Sequence, residues 1–264
     1  MTTLSYTIAD TSTMLRRNMK HLLRYPTLLF IVIAMPAVFL LLFVYVFGGT
    51  LGNGLGGLSG GREAYVNYVT PAIIMLTIAS AVQSTAISVA SDMTEGIIAR
   101  FRTMSIARSS VLTGHVIASM ILSVVGVVVL IGISIGVGFR PSASPLDWLA
   151  AAGIILLVSF ALTWLSVALG LAAKSVETAS NTPMFLLLLP FLGSGFVPTA
   201  SMPTVLRWFA QYQPFTPVNE TIRGLLMGTR IGADGIITIV WCVAIAALSY
   251  VWARRKYDRK PVQA

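Results

Sequence analysis

The side chains able to do chemistry are few in this sequence, and several common chemistries fall away at once. The four lysines follow Met19, Ala173, Arg255 and Arg259. No Gly-Lys pair exists from which a phosphate-cradling P-loop could be built. Two histidines, one cysteine (Cys242) and no H-E-x-x-H spacing exclude the common zinc sites and an intrachain disulfide. Hydrolysis inside a membrane needs a nucleophile beside a base. The only histidine near an apolar run is His115, read here as an interfacial helix residue. An enzyme is therefore not expected, nor a cofactor bound by this chain.

Two groupings of charge at helical spacing remain. Residues 92–108 mix acids, bases and apolar side chains: Glu95 and Gly96, then Arg100, Phe101, Arg102, Met104 and Arg108. Ile97, Phe101, Met104 and Arg108 fall near one stripe, which suits a helix docking into a groove of a partner protein with Phe101 as an apolar anchor. A solvated surface helix is the competing reading. The second grouping lies in 196–228. Glu220 and Arg223, three apart, can pair on one helical face, as an exposed and weak pair. Pro203, Pro214 and Pro217 stiffen the same stretch, and Trp208, Phe209, Tyr212 and Phe215 suit a membrane interface.

These groupings lie between long apolar runs. The 264 residues are 56% hydrophobic and 10% charged, against about 25% charged in a soluble domain. Runs at 26–47, 66–90, 110–138, 148–173, 182–199 and 233–253 supply six candidate crossings of about 20 residues each. The fifth is the weakest, because Pro183, Pro190, Pro198 and Gly193-Ser194-Gly195 interrupt it. The interiors of the runs carry no Asp, Glu, Lys or Arg, so an ion-coupled carrier with a charged relay is not expected. Ahead of them, Leu4, Ile8, Leu15, Met19 and Leu22 share one helical face, and Arg17, Lys20 and Arg24 another. Residues 1–25 thus read as an amphipathic interfacial helix, ended by Pro26. A cleavable signal peptide is not expected. Gly48 to Gly61 reads as a flexible Gly-rich loop, and Gly132 and Gly136 as ordinary intrachain helix packing. Asn219-Glu220-Thr221 matches a glycosylation sequon, to which no weight attaches.

The net charge of +9 does not point to nucleic acid, because the basic residues are dispersed between apolar runs. It points to topology. Thirteen of the eighteen Lys and Arg fall on one side of the six crossings, which places both termini, including the tail 254–264, in the cytoplasm.

The order of these parts resembles the ABC-2 type permeases, most closely the daunorubicin-resistance branch. Three stretches carry the likeness. The first is Arg17-Asn18 through Leu22-Leu23-Arg24-Tyr25-Pro26, leading to Pro36 and Phe47-Gly48-Gly49. The second is Glu95-Gly96 with Arg100, Arg102-Thr103-Met104 and Ala107-Arg108. The third is Gly195-Phe196-Val197-Pro198, Met202-Pro203, Gln213 to Val218 and Arg223 to Leu226. Ser105 stands where the family commonly has proline. The resemblance implies an all-α membrane domain over 26–253 with six transmembrane helices, a cytoplasmic coupling helix at 92–108 and an external re-entrant segment at 196–228. It implies export of a hydrophobic or amphiphilic small molecule across the cytoplasmic membrane, two permease chains, identical or paralogous, and an ABC ATPase subunit carrying the ATP and Mg. The other readings are an ABC-2 permease for lipid or polysaccharide precursors, and a channel or scaffold without ATP coupling.

Overall fold

The computed structural model describes residues 3–24, 26–56, 61–95 and 108–259, and every regular element among them is helical. The first helix, α1, covers Thr3–Arg24, and α2 starts at Pro26 and runs to Leu42. The break falls where proline lacks an N–H for the preceding turn and has a φ suited to a new first turn. A π-helical turn, Phe43–Phe47, continues α2 into α3, Gly48–Gly56. The Gly-rich stretch expected as a loop is therefore helical to residue 56. Glycine lets this piece pack: a Cβ at Gly52 would collide with the Gly61 backbone, and Gly61 itself has φ 103°.

The long helix α4, Arg62–Thr94, is the centre of the molecule. Leu76, Ile78, Val82 and most residues between them are buried, so α4 is solvated by protein rather than lipid. Against it pack α2, α3, α5, Arg108–Val137, and α6, Pro145–Ala172, and the last helix, Asp234–Arg259, packs on α6. The start of α6 is fixed by a reciprocal cap. Asp147 N donates to Ser144 Oγ, Ser144 N donates to the Asp147 carboxylate at 3.0 Å, and Pro145 opens the first turn. Hydroxyl bonds join the bundle in its interior: Thr85 donates to Ser119 at 2.7 Å, Ser119 lies 3.3 Å from Thr163, and Ser166 donates to the Val82 carbonyl. In a membrane such bonds link helices that have no hydrophobic reason to associate.

Among the described residues, five helices are long and apolar enough to cross a membrane: Phe30–Gly54, Arg62–Thr94, Ser110–Val137, Pro145–Ala172 and Asp234–Tyr257. The expected crossing at 182–199 is not one helix. It consists of α7, Val176–Asn181, α8, Met184–Leu188, and turns up to a 3-10 turn at Thr199–Ser201, as its prolines and Gly193-Ser194-Gly195 require. The segment nevertheless runs along α4 for about 22 Å, from Gln83 to Tyr68. Gln83 Nε2 donates to the Ser180 carbonyl, and 15 residues nearer the start of α4 Tyr68 Oη donates to the Ser194 carbonyl. Irregular backbone at such depth is tolerated where protein covers it, and here Phe39, Phe43, Phe191 and Phe196 do so. Phe191 and Phe196 stack at 4.4 Å between ring centroids, and Phe43 sits 4.6 Å from Phe196.

Gly132 and Gly136 also differ from expectation. A Cβ at either would meet nothing within 4 Å, so they face outward on α5 and serve no packing within the chain.

Candidate functional site

After the 3-10 turn the chain forms a helical hairpin, α9, Thr204–Tyr212, and α10, Phe215–Leu226, followed by α11, Asp234–Arg259. Pro203 and Pro214 occupy the caps that start its two helices, and Pro217 lies in the first turn of α10, all positions where a missing N–H costs nothing. The tip reaches inward. Pro214 and Phe215 line a small apolar cavity with Met75, Leu162 and Cys242, whereas Arg223, two turns later, lies at Tyr68. The seven residues from Tyr68 to Met75 correspond to about 10 Å along α4, so the hairpin dips into the bundle by that depth and returns. Gln213 Nε2 holds the tip through Thr216 Oγ1 at 3.3 Å, and Thr216 Oγ1 also accepts from Ser194 N at 3.2 Å. The apolar side chains Val205, Trp208 and Tyr212 of α9 remain exposed.

Glu220 and Arg223 pair at 2.6 Å, but not as a free surface pair. Arg223 is mostly buried. It donates to the carbonyls of Tyr68 at 3.2 Å and Ser194 at 2.8 Å, and its guanidinium lies 3.8 Å from the centre of the Tyr68 ring. A cation over an aromatic face, partly removed from water, is a favourable contact. Arg223 thus ties the hairpin to α4 and to the interrupted segment together. Asn219 is fully buried, which removes it from consideration as a glycosylation acceptor. Gly195 permits this packing, since a Cβ there would stand 2.7 Å from the Pro190 carbonyl and 2.8 Å from Ala72 Cβ.

The other charged site lies at the opposite end of α4. Asp92 is buried, and Arg17 of α1 grips both of its oxygens, at 2.6 and 2.9 Å. His115 Nε2 of α5 donates to the same carboxylate at 3.1 Å. One carboxylate therefore joins three helices. The residues that permit it are small or polar: Asn18 is buried on α1, and Gly114 lets α5 approach Met14, whose Cβ would be 2.7 Å from an added methyl group. Arg17, expected on a solvated face with Lys20 and Arg24, is turned into the protein, and His115 is an internal hydrogen-bond donor rather than an interfacial side chain. A sequence reading missed this site because the apolar run of α4 ends near residue 90, which put Asp92 at the start of the expected docking helix 92–108 rather than within α4.

Of the docking residues expected on 92–108, Glu95 ends the described part of α4, where its carboxylate accepts from Ser91 Oγ at 2.7 Å. Gly96, Arg100, Phe101, Arg102 and Met104 lie outside the described residues. Arg108 begins α5. No three His, Cys, Asp or Glu side chains group as a metal site among the described residues.

Residues 9–227 match the ABC-2 type transporter family. The chain is 27% identical over 247 residues to a daunorubicin resistance ABC transporter permease protein of Streptomyces coeruleorubidus, covering 93% of this chain and 84% of the relative. It is 22% identical over 166 residues to a probable doxorubicin resistance ABC transporter permease protein of Mycobacterium tuberculosis, covering 63% of this chain and 60% of that relative.

Proposed function

The chain belongs to the ABC-2 type transporter family, and from that premise we propose that it is the membrane-spanning subunit of an ATP-driven exporter. Its cargo is a hydrophobic or amphiphilic small molecule, moved outward across the cytoplasmic membrane. The observation that carries this reading is the likeness, over 93% of the chain, to a permease named for daunorubicin resistance. The absence of a Gly-Lys pair supports a division of labour in which a separate ABC ATPase subunit holds ATP and Mg.

In this reading the Asp92 end of α4 faces the cytoplasm, as the distribution of Lys and Arg requires, and the Tyr68 end faces outward. The interrupted segment 176–201 supplies the sixth crossing, which returns both termini to the cytoplasmic side. Of the expected docking stretch 92–108, the part that follows α4, from Glu95 on, docks on the ATPase, with Phe101 as anchor and Glu95, Gly96, Arg100, Arg102, Met104 and Arg108 around it, while Asp92 stays within the bundle. The hairpin, with Pro203, Pro214, Pro217, Glu220 and Arg223, is the outward gate, and a second permease chain completes the pathway.

The test is purification of the chain from its own cells together with any ABC ATPase subunit it binds, followed by reconstitution into vesicles. ATP-dependent movement of daunorubicin or another amphiphilic drug, together with ATP hydrolysis that depends on this chain, is the expected result. Recovery of no ATPase, or of one that does not respond to the chain, or flux that proceeds without ATP, would sink the proposal in favour of a channel or scaffold.

A further inference from the structure

The Arg17–Asp92–His115 cluster is assigned no part in that function, yet its construction is specific. An acidic side chain is rarely buried unless paired, and Asp92 is 6% exposed. Its oxygens accept from α1 and α5, which already pack on each other where Gly114 meets Met14, so the carboxylate is what ties α4 to that pair. Carboxylate–guanidinium bonds of this two-pronged kind fix angle as well as distance. Asp92 also lies three residues before Glu95, from which the chain leaves α4 toward the stretch read as the ATPase docking segment. A force applied to that end of α4 reaches α1 and α5 through this carboxylate. It reaches α6 through the hydroxyl bonds of Thr85, Ser119 and Thr163 one to two turns further along.

We infer that Asp92 is a positioning residue for energy coupling: it locks α1, α4 and α5 into one block, so that displacement of the Glu95 end moves the block instead of bending the helix terminus. This rests on the ATP-driven exporter reading above. Arg17 and His115 are the two arms of the lock, and Arg17 is the more replaceable because its side chain is about one-third exposed. The cluster is then a mechanical joint, and loss of its charge should separate ATP turnover from transport without releasing the ATPase.

The experiment uses the reconstituted transporter with wild-type chain, Asp92→Asn, Asp92→Glu and Arg17→Gln, and measures drug moved per ATP hydrolysed. A nitroxide on Thr94→Cys, at the exposed last residue of α4 and in a Cys242→Ala background, separately reports how tightly the end of α4 is held. Asp92→Asn is expected to keep the ATPase bound and hydrolysing, to lower drug moved per ATP by roughly tenfold, a usual scale for coupling between sites, and to loosen the nitroxide. Asp92→Glu should recover part of both, and Arg17→Gln should show a smaller loss of both. If Asp92→Asn does not assemble, Arg17→Gln alone decides. An unchanged drug-to-ATP ratio in a loosened variant would overturn the inference, as would a lowered ratio with an unchanged nitroxide. A wild-type chain that shows no ATP-driven transport would instead overturn the exporter reading itself, before any variant is compared.

Discussion

The two charged clusters at opposite ends of α4 are built on inverse plans. At the Asp92 end the buried hub is an anion, and both of its partners are side chains, Arg17 and His115. At the Tyr68 end the buried hub is a cation, Arg223, and two of its partners are main-chain carbonyls, of Tyr68 and Ser194. A carboxylate can only accept, so it needs donors that particular residues provide. A guanidinium has five N–H groups and can use carbonyls that any sequence provides. The first cluster is therefore sensitive to substitution at three positions. The second depends on one residue and on the backbone shape that Gly195 and the prolines establish.

That contrast orders the expected effects of substitution. Arg223→Ala should be the most damaging. It removes the charge-assisted bonds to Ser194 and Tyr68 and the contact with the Tyr68 ring, and should lower stability by about 3 kcal/mol, read from denaturation of the purified chain in detergent. Arg17→Ala leaves a buried carboxylate held by His115 alone, and should cost about 1–2 kcal/mol because water can reach the vacated, half-open side. Tyr68→Phe removes the hydroxyl that donates to Ser194 but keeps the ring beneath the guanidinium, for a loss of about 1 kcal/mol by the same measurement. Glu220→Gln should be nearly silent, below about 0.5 kcal/mol, since Glu220 is partly exposed and its pairing is screened by water. A loss for Glu220→Gln as large as that for Arg223→Ala would mean that the second cluster is an ion pair after all, and the contrast would collapse.

Much of the fold was legible from apolar runs, since a stretch of about 20 apolar residues leaves few alternatives to a crossing helix. The interruption at 182–199 was legible too, from its three prolines and Gly193-Ser194-Gly195. The Gly-rich stretch after Phe47 was misread because glycine composition argues for flexibility, whereas Gly52 serves a close approach to Gly61 that only the three-dimensional contact reveals. The spacing of Glu220 and Arg223 announced their pairing but not their depth, which is set by Tyr68, 155 residues away from Arg223. Nor does any local pattern bring Arg17 to Asp92, 75 residues apart. Such pairings belong to the packing of helices, and the periodicity of one helix carries no record of its neighbour's charge.

Both clusters are attached to the same helix, and α4 therefore stores a phase as well as a span. Tyr68 and Asp92 are 24 residues apart, about 36 Å along the axis and about 120° around it. Adding one residue between them would lengthen the helix by only about 1.5 Å but turn one anchor by about 100° relative to the other. Removing seven would shorten it by about 10 Å yet leave the anchors within about 20° of their original bearing. The tolerance of this molecule to insertions and deletions within α4 should therefore be counted in degrees before it is counted in ångströms.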